Sequence, residues 1–205
     1  MYQDILTIAV VTVFAFFAIY WMWFHGEVDG SRLIAKNSMK QQKFNIILVL
    51  VAAFIVKAIL AVKNEGYSVD ITCFRSWSET VFTGGLSHFY EGDVTDYPPG
   101  YMLVLWLVAA IRHLFNIDNY STTGLFMIKL FPMLFDLAAA YLIYVMAKKR
   151  FSEGMSLMLS TLYALNPAVV IDSSVWGQVD GVLCCMVLLT CYLFMEEKRI
   201  LKKSI

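Results

Sequence analysis

The stretch Tyr101-Met-Leu-Val-Leu-Trp-Leu-Val-Ala-Ala-Ile-Arg-His-Leu-Phe115 decides the fold. It is apolar, but Pro98 and Pro99 precede it and Arg112 and His113 interrupt it. A helix needs about 20 mostly apolar residues to cross a bilayer, and this stretch falls short. Loop charge tests the choice, because lysine and arginine gather on the cytoplasmic side of short loops. Arg32, Lys36, Lys40 and Lys43 mark Gly26–Lys43 as cytoplasmic. If 101–115 crossed, Lys148-Lys149-Arg150 and the tail bases Lys198, Arg199, Lys202 and Lys203 would all lie outside. If it does not cross, both clusters return to the cytoplasm. The charges predict the second topology, with 101–115 an interfacial or re-entrant helix.

Outward from that stretch, the chain reads as an integral membrane protein. It is 60% hydrophobic and 16% charged, with mean hydropathy +0.66; soluble domains carry roughly a quarter charged residues. The expected spans are Ile5–Phe24, Phe44–Val62, Leu125–Ala147, Met155–Ile171 and Val182–Met195. Ile5–Phe24 lacks the basic flank and small-residue cleavage site of a signal peptide, so it reads as a retained helix. The fold class is therefore all-α: a multi-pass transmembrane bundle of about five spans, one domain over 1–205, with the N-terminus outside. A long outer loop covers 63–123 and a short one about 172–181. The long loop holds Glu65, Asp70, Glu79, Glu91, Asp93, Asp96 and Asp118 against few bases, which suits an outer face. Within it, Ile71, Phe74, Trp77 or Ser78, and Val81 recur at helical spacing, predicting an amphipathic surface helix over 70–82 that stops at Gly84-Gly85. A second surface helix should start near Pro99, since proline suits the first helical turn.

Zero net charge and the lack of a basic block with interleaved aromatics exclude a nucleic-acid partner. Cys73, Cys184, Cys185 and Cys191 form no disulfide framework or Cys-x-x-Cys motif. His25, His88 and His113 have no metal-ligand spacing. No metal and no cofactor is predicted.

Three polar stretches carry chemistry: Gly66-Tyr-Ser-Val-Asp70, Asp96-Tyr-Pro-Pro-Gly100 and Trp176-Gly-Gln-Val-Asp180. Asp70 opens the first surface helix, where it suits a helix cap or a general base taking a proton from an acceptor hydroxyl. Asp96-Tyr97-Pro98-Pro99 is a rigid turn. Trp176–Asp180 links two spans through a glycine-permitted turn, and Pro167 should loosen the helix before it. Lys129 and Asp136 are ionisable residues within a span, which makes them functional candidates. Seven residues apart, they share a helix face. Lys129 lies near enough the outer end to snorkel toward an anionic headgroup, and Asp136 is equally suited to holding the bundle together.

An aspartate soon after a span, then Asp96-Tyr97-Pro98-Pro99, then the Lys129…Asp136 helix, then Asn166-Pro167 and Trp176-Gly177-Gln178-Val179-Asp180, resembles the GT-C membrane glycosyltransferases. The likeness covers about 44–196 and is greatest to the bacterial and archaeal proteins similar to the GPI mannosyltransferase II family. A more distant glucosyltransferase group shares the Asp96–Pro99 element. The resemblance implies transfer of a sugar, with inversion, from a polyprenyl-phosphate donor to a lipid or glycan acceptor on the extracytoplasmic side. It implies Asp70 as the catalytic base and Lys129, Arg75 and Arg112 as donor phosphate ligands. Asp96, Tyr97, Trp176, Gln178 and Asp180 would line the substrate pocket. Family members are longer, so the chain reads as an N-terminal portion completed by a C-terminal part or a second chain, with Ile5–Phe24 an extra span before the core. A prokaryotic plasma membrane is favoured over the endoplasmic reticulum. Two other classes remain open: a small transporter or channel component with Lys129 and Asp136 lining a path, and a non-catalytic membrane scaffold.

Overall fold

The computed structural model describes residues 39–92 and 97–203. The expected span Ile5–Phe24, the bases Arg32 and Lys36, and Asp96 lie outside the described residues. The described residues form helices joined by short loops, with no strand among them. Helix α1 is Met39–Lys63, α2 Ser68–Gly92, α3 Pro99–Leu114, α4 Thr122–Ala147, α5 Glu153–Ala164 and α6 Pro167–Val170. A π-helical turn, Ile171–Trp176, continues α6, and α7 is Asp180–Lys203.

Helices α1 and α4 are each long and apolar enough to cross a membrane. At 1.5 Å per residue they reach ~37–39 Å, beyond the ~30 Å hydrocarbon core. Helix α5 and the α6–π segment form a third candidate if their 47° bend is counted within one crossing. The bend follows from Asn166-Pro167: Asn166 caps the new helix by accepting from Ala168 N at 2.9 Å, and Pro167 sits at its first position. Helix α7 is not among the helices apolar enough to cross; Glu196, Glu197 and the bases after them follow an apolar stretch of 182–195. The described residues thus hold two or three candidate spans where the sequence suggested about five in the whole chain.

Bonds between helix ends fix the course of the chain. Lys148 at the end of α4 bonds Gln42 at the start of α1, while Lys129 near the start of α4 reaches Asn64 just past α1. The two helices therefore run antiparallel. Helix α5 begins beside the end of α4, where Tyr144 donates to Glu153 at 2.7 Å. The α6–π segment finishes at the opposite end, where Tyr67 N donates to Trp176 O at 2.9 Å. Helix α7 then returns, and its Glu196 pairs with Lys149. Lys40, Lys43, Lys148 and Lys149 gather at one end, and the Asp70 and Trp176 stretches at the other. Helix α3, at 16 residues, does not run between them; it packs with α2 on the site end of α4.

Small residues let the long helices approach closely. Ala53, Ala140 and Ala164 cluster where α1, α4 and α5 meet, and Ser160 donates across to Ala140 O at 2.8 Å. The second core lies between α2, α3 and the start of α4, from Ile71, Phe74 and Val81 through Met102 and Leu105 to Leu125 and Ile128. The predicted amphipathic pattern of α2 is the face buried here. Gly85, at φ 76°, breaks α2 inside the expected stop, but the chain resumes a helical course to Gly92.

Candidate functional site

Two left-handed glycines bring two distant stretches together. Gly66 has φ +87° and Gly177 φ +91°, a region that costs a side-chain-bearing residue strain. A Cβ on Gly66 would lie 2.7 Å from Trp176 O, and one on Gly177 would lie 2.7 Å from Ile71 Cδ1. At Gly66 the missing side chain lets the two backbones meet; at Gly177 it leaves room for the Ile71 side chain. Tyr67 then donates its N–H to Trp176 O, and the Tyr67 and Trp176 rings lie 5.1 Å apart.

This contact delivers Asp70. Its Oδ2 accepts from Trp176 Nε1 at 2.9 Å and from Gln178 Nε2 at 2.7 Å. Gln178 Oε1 in turn accepts from Tyr97 Oη at 3.1 Å and from Val179 N at 3.3 Å. Four of the residues singled out in the sequence, Asp70, Tyr97, Trp176 and Gln178, are therefore one hydrogen-bonded group. Asp70 lies in the first turn of α2, which begins at Ser68. Its carboxylate meets side chains from the far loop rather than capping its own helix. Oδ2 takes both bonds, and Oδ1 makes none to another described residue. Asp180 opens α7 and is exposed; Asp96 lies outside the described residues.

The three cations have different partners. Lys129 is fully buried and donates to three backbone carbonyls: Asn64 at 2.7 Å, Ser174 at 3.0 Å and Val175 at 3.2 Å. An ammonium has three donors, so all are committed here, and its place is behind the site, clamping residue 64 to residues 174–175. Arg112 is buried and paired with Glu79, and His113 joins the same carboxylate at 2.9 Å. Burial alone would raise the Glu79 carboxyl, but the bonds from His113 and Arg112 outweigh it and hold it below its ordinary range. These groups border a cavity of about 330 Å³ that includes Asn116 and Asn119. Arg75 lies over the Tyr120 ring, 5.1 Å from its centroid, and its Nε is buried without a partner.

Asp136 belongs to a second network. Lys57, not singled out in the sequence, bonds Asp136 Oδ2 at 2.8 Å, Ser173 Oγ at 3.0 Å and Val169 O at 3.1 Å. Both charged side chains are essentially inaccessible, at 0% and 2%. A Cβ on Gly181 would collide with Asp136 Oδ1, so glycine at the first turn of α7 makes room for the carboxylate. The missed signal was a single lysine in the middle of an apolar run. Lys129 and Asp136 share a helix face but enter separate networks, which hold the segment 169–175 leading to Trp176 at Val169 and Ser173 through Lys57 and at Ser174 and Val175 through Lys129. Among the described residues, no group of three His, Cys, Asp or Glu side chains is placed to hold a metal ion.

The chain is similar to GPI mannosyltransferase 1 of Saccharomyces cerevisiae, with 27% identity over 125 residues. The match covers 58% of this chain and 28% of that protein, so the chain spans less than a third of its relative's length. No family model matches the chain, and no solved structure matches it.

Proposed function

We propose that this chain forms part of a membrane glycosyltransferase of GT-C type. It would transfer a sugar, mannose on the strength of its relative's name, from a polyprenyl-phosphate donor to an acceptor hydroxyl on the extracytoplasmic side. The observation that carries the reading is Asp70, anchored through one oxygen by Trp176 and Gln178 with the other oxygen open. The acceptor oxygen attacks the anomeric carbon as its proton passes to Asp70 Oδ1. The bond from that carbon to the phosphate oxygen breaks on the opposite face, and the polyprenyl phosphate leaves with the electron pair. Such a leaving group needs no protonation, only a cation to stabilise its charge. Arg75 and Arg112 are assigned that task. Lys129 joins them only by exchanging one of its carbonyl partners for phosphate. Tyr97, Trp176, Gln178 and the flanking Asp96 and Asp180 shape the pocket. The acidic loops on one end and the basic clusters on the other favour the extracytoplasmic placement.

The test is sugar transfer in membranes holding the full gene product and any companion chain, with a radiolabelled polyprenyl-phosphate donor. A positioned general base contributes about 10²–10⁴-fold, so Asp70→Asn should lower the rate by that order while donor binding persists. Transfer at the wild-type rate by Asp70→Asn would remove Asp70 from the chemistry.

A further inference from the structure

At the end of the bundle opposite Asp70, α1 and α4 leave a groove that opens outward. Its upper part, about 390 Å³, is lined by Lys43, Ile46, Tyr141, Tyr144 and Lys148, among others. Its lower part, about 440 Å³, is lined by Leu50, Val51, Phe54, Leu134, Leu137 and Ala138. Tyr141 borders both, so the cationic and apolar parts adjoin at its side chain. From Ile46 to Phe54 the helix rises ~12 Å, a depth that takes the upper part of an acyl chain. Val51, Leu134 and Tyr141 are 48%, 43% and 48% exposed, so the groove faces outward from the two helices most able to cross a membrane.

We propose that this groove holds an anionic phospholipid, its phosphate on Lys43 and Lys148 and one chain along Leu50–Phe54 and Leu134–Ala138. Charge complementarity selects this occupant. Lys43 is exposed at the groove mouth, and Lys148 lies over the Tyr144 ring, 5.4 Å from its centroid. Two acids lie at this end: Glu153 accepts from Tyr144 and pairs with Lys148 at 3.3 Å, and Glu196 pairs with Lys149; Lys148 also bonds Gln42, so a phosphate would share its ammonium with these partners. Lys40 and Arg150, both exposed, add positive charge at the same end of the bundle. Basic grooves between membrane helices on the cytoplasmic side suit anionic headgroups. The groove lies away from the Asp70 site, so the proposal stands apart from the glycosyltransferase reading.

The full chain is purified in detergent and titrated with phosphatidylglycerol or phosphatidylcholine of the same acyl chains, and retained lipid is read by native mass spectrometry. One phosphatidylglycerol should be held about five- to thirtyfold more tightly, at ~1 kcal/mol per lysine. Lys43→Gln with Lys148→Gln should bring the two lipids to parity. Leu134→Trp, at an exposed position, should weaken both by closing the apolar part. Equal retention of the two lipids by the wild-type chain overturns the proposal, as does an unchanged preference in the double variant. A photo-crosslinker at position 134 that captures residues 5–24 or a second copy, rather than lipid, also overturns it.

Discussion

Lys57→Met should be among the most destabilising single changes in this bundle. The substitution keeps an unbranched stem of similar girth and removes one ammonium with three bonds, to Asp136, Ser173 and Val169. Removing one partner of a buried ion pair costs about 3–5 kcal/mol, because the remaining charge is buried without compensation. One bond that survives places the cost toward the lower end. Ser173 Oγ keeps its own bond to Val169 O at 3.1 Å, and the Val169 carbonyl therefore retains a donor. A loss of ~3 kcal/mol lowers the folded-to-unfolded ratio by roughly two orders of magnitude. The control is the double variant with Asp136→Asn, which removes the orphaned charge and keeps the shape that Gly181 accommodates. The double variant should cost less than the sum of the two single variants, by ~1–3 kcal/mol, as expected for residues in direct contact. Steric trapping in mixed micelles measures each unfolding free energy at one detergent composition. Additivity within ~0.5 kcal/mol would refute the pair, as would a Lys57→Met loss below ~1 kcal/mol, the typical effect of any substitution.

Lys129→Met should detach Asn64, Ser174 and Val175 at once, costing about 3 kcal/mol for lost bonds to a charged donor, and should also lower sugar transfer as Trp176 and Gln178 lose their register on Asp70. Unfolding and transfer assays on the same preparation check both, and a stable, fully active variant would remove the clamp. Gly177→Ala should cost ~1–3 kcal/mol from its left-handed backbone plus the collision with Ile71; Ile71→Val in the same chain should recover only the collision, read as the difference in melting temperature. Glu79 gives a pH dependence. Its carboxyl is depressed in the folded chain by His113 and Arg112 despite partial burial, so its stabilisation is complete above the ordinary carboxylate range and vanishes as pH falls through the depressed value. Wild type should therefore melt above Glu79→Gln at neutral pH, and the gap should close on acidification. A gap that widens toward low pH would contradict the sign.

Much of the architecture was legible because it depends on local properties. Pro99 starts α3 since its ring fits a first helical turn. Gly85 breaks α2 since it takes a conformation other residues avoid. The 47° bend falls at Asn166-Pro167, where the proline was expected to loosen the helix. The gathering of bases at one end was legible from the loops, because charge alone separates loop from span. The span count depends on residues outside those described and on α7, where a charged end offsets a short apolar run. Asp70 was legible as a candidate, but its partners were not, since a carboxylate near a helix start reads equally well as a cap.

What the sequence by itself determined is that the described residues are helical, that two of their helices are long and apolar enough to cross a membrane, and which end of the bundle is basic. Only the tertiary structure decided the pairing of polar side chains. Asp70 meets Trp176 and Gln178 across 106 and 108 residues, and Lys57 meets Asp136 across 79. Lys129 turned from a residue expected to reach outward into a buried clamp on three carbonyls. A helix period reports only which residues share a face. Where a buried charge finds its partner depends on the space its neighbours leave, and here Gly66 lets two backbones close while Gly181 makes room for the Asp136 carboxylate.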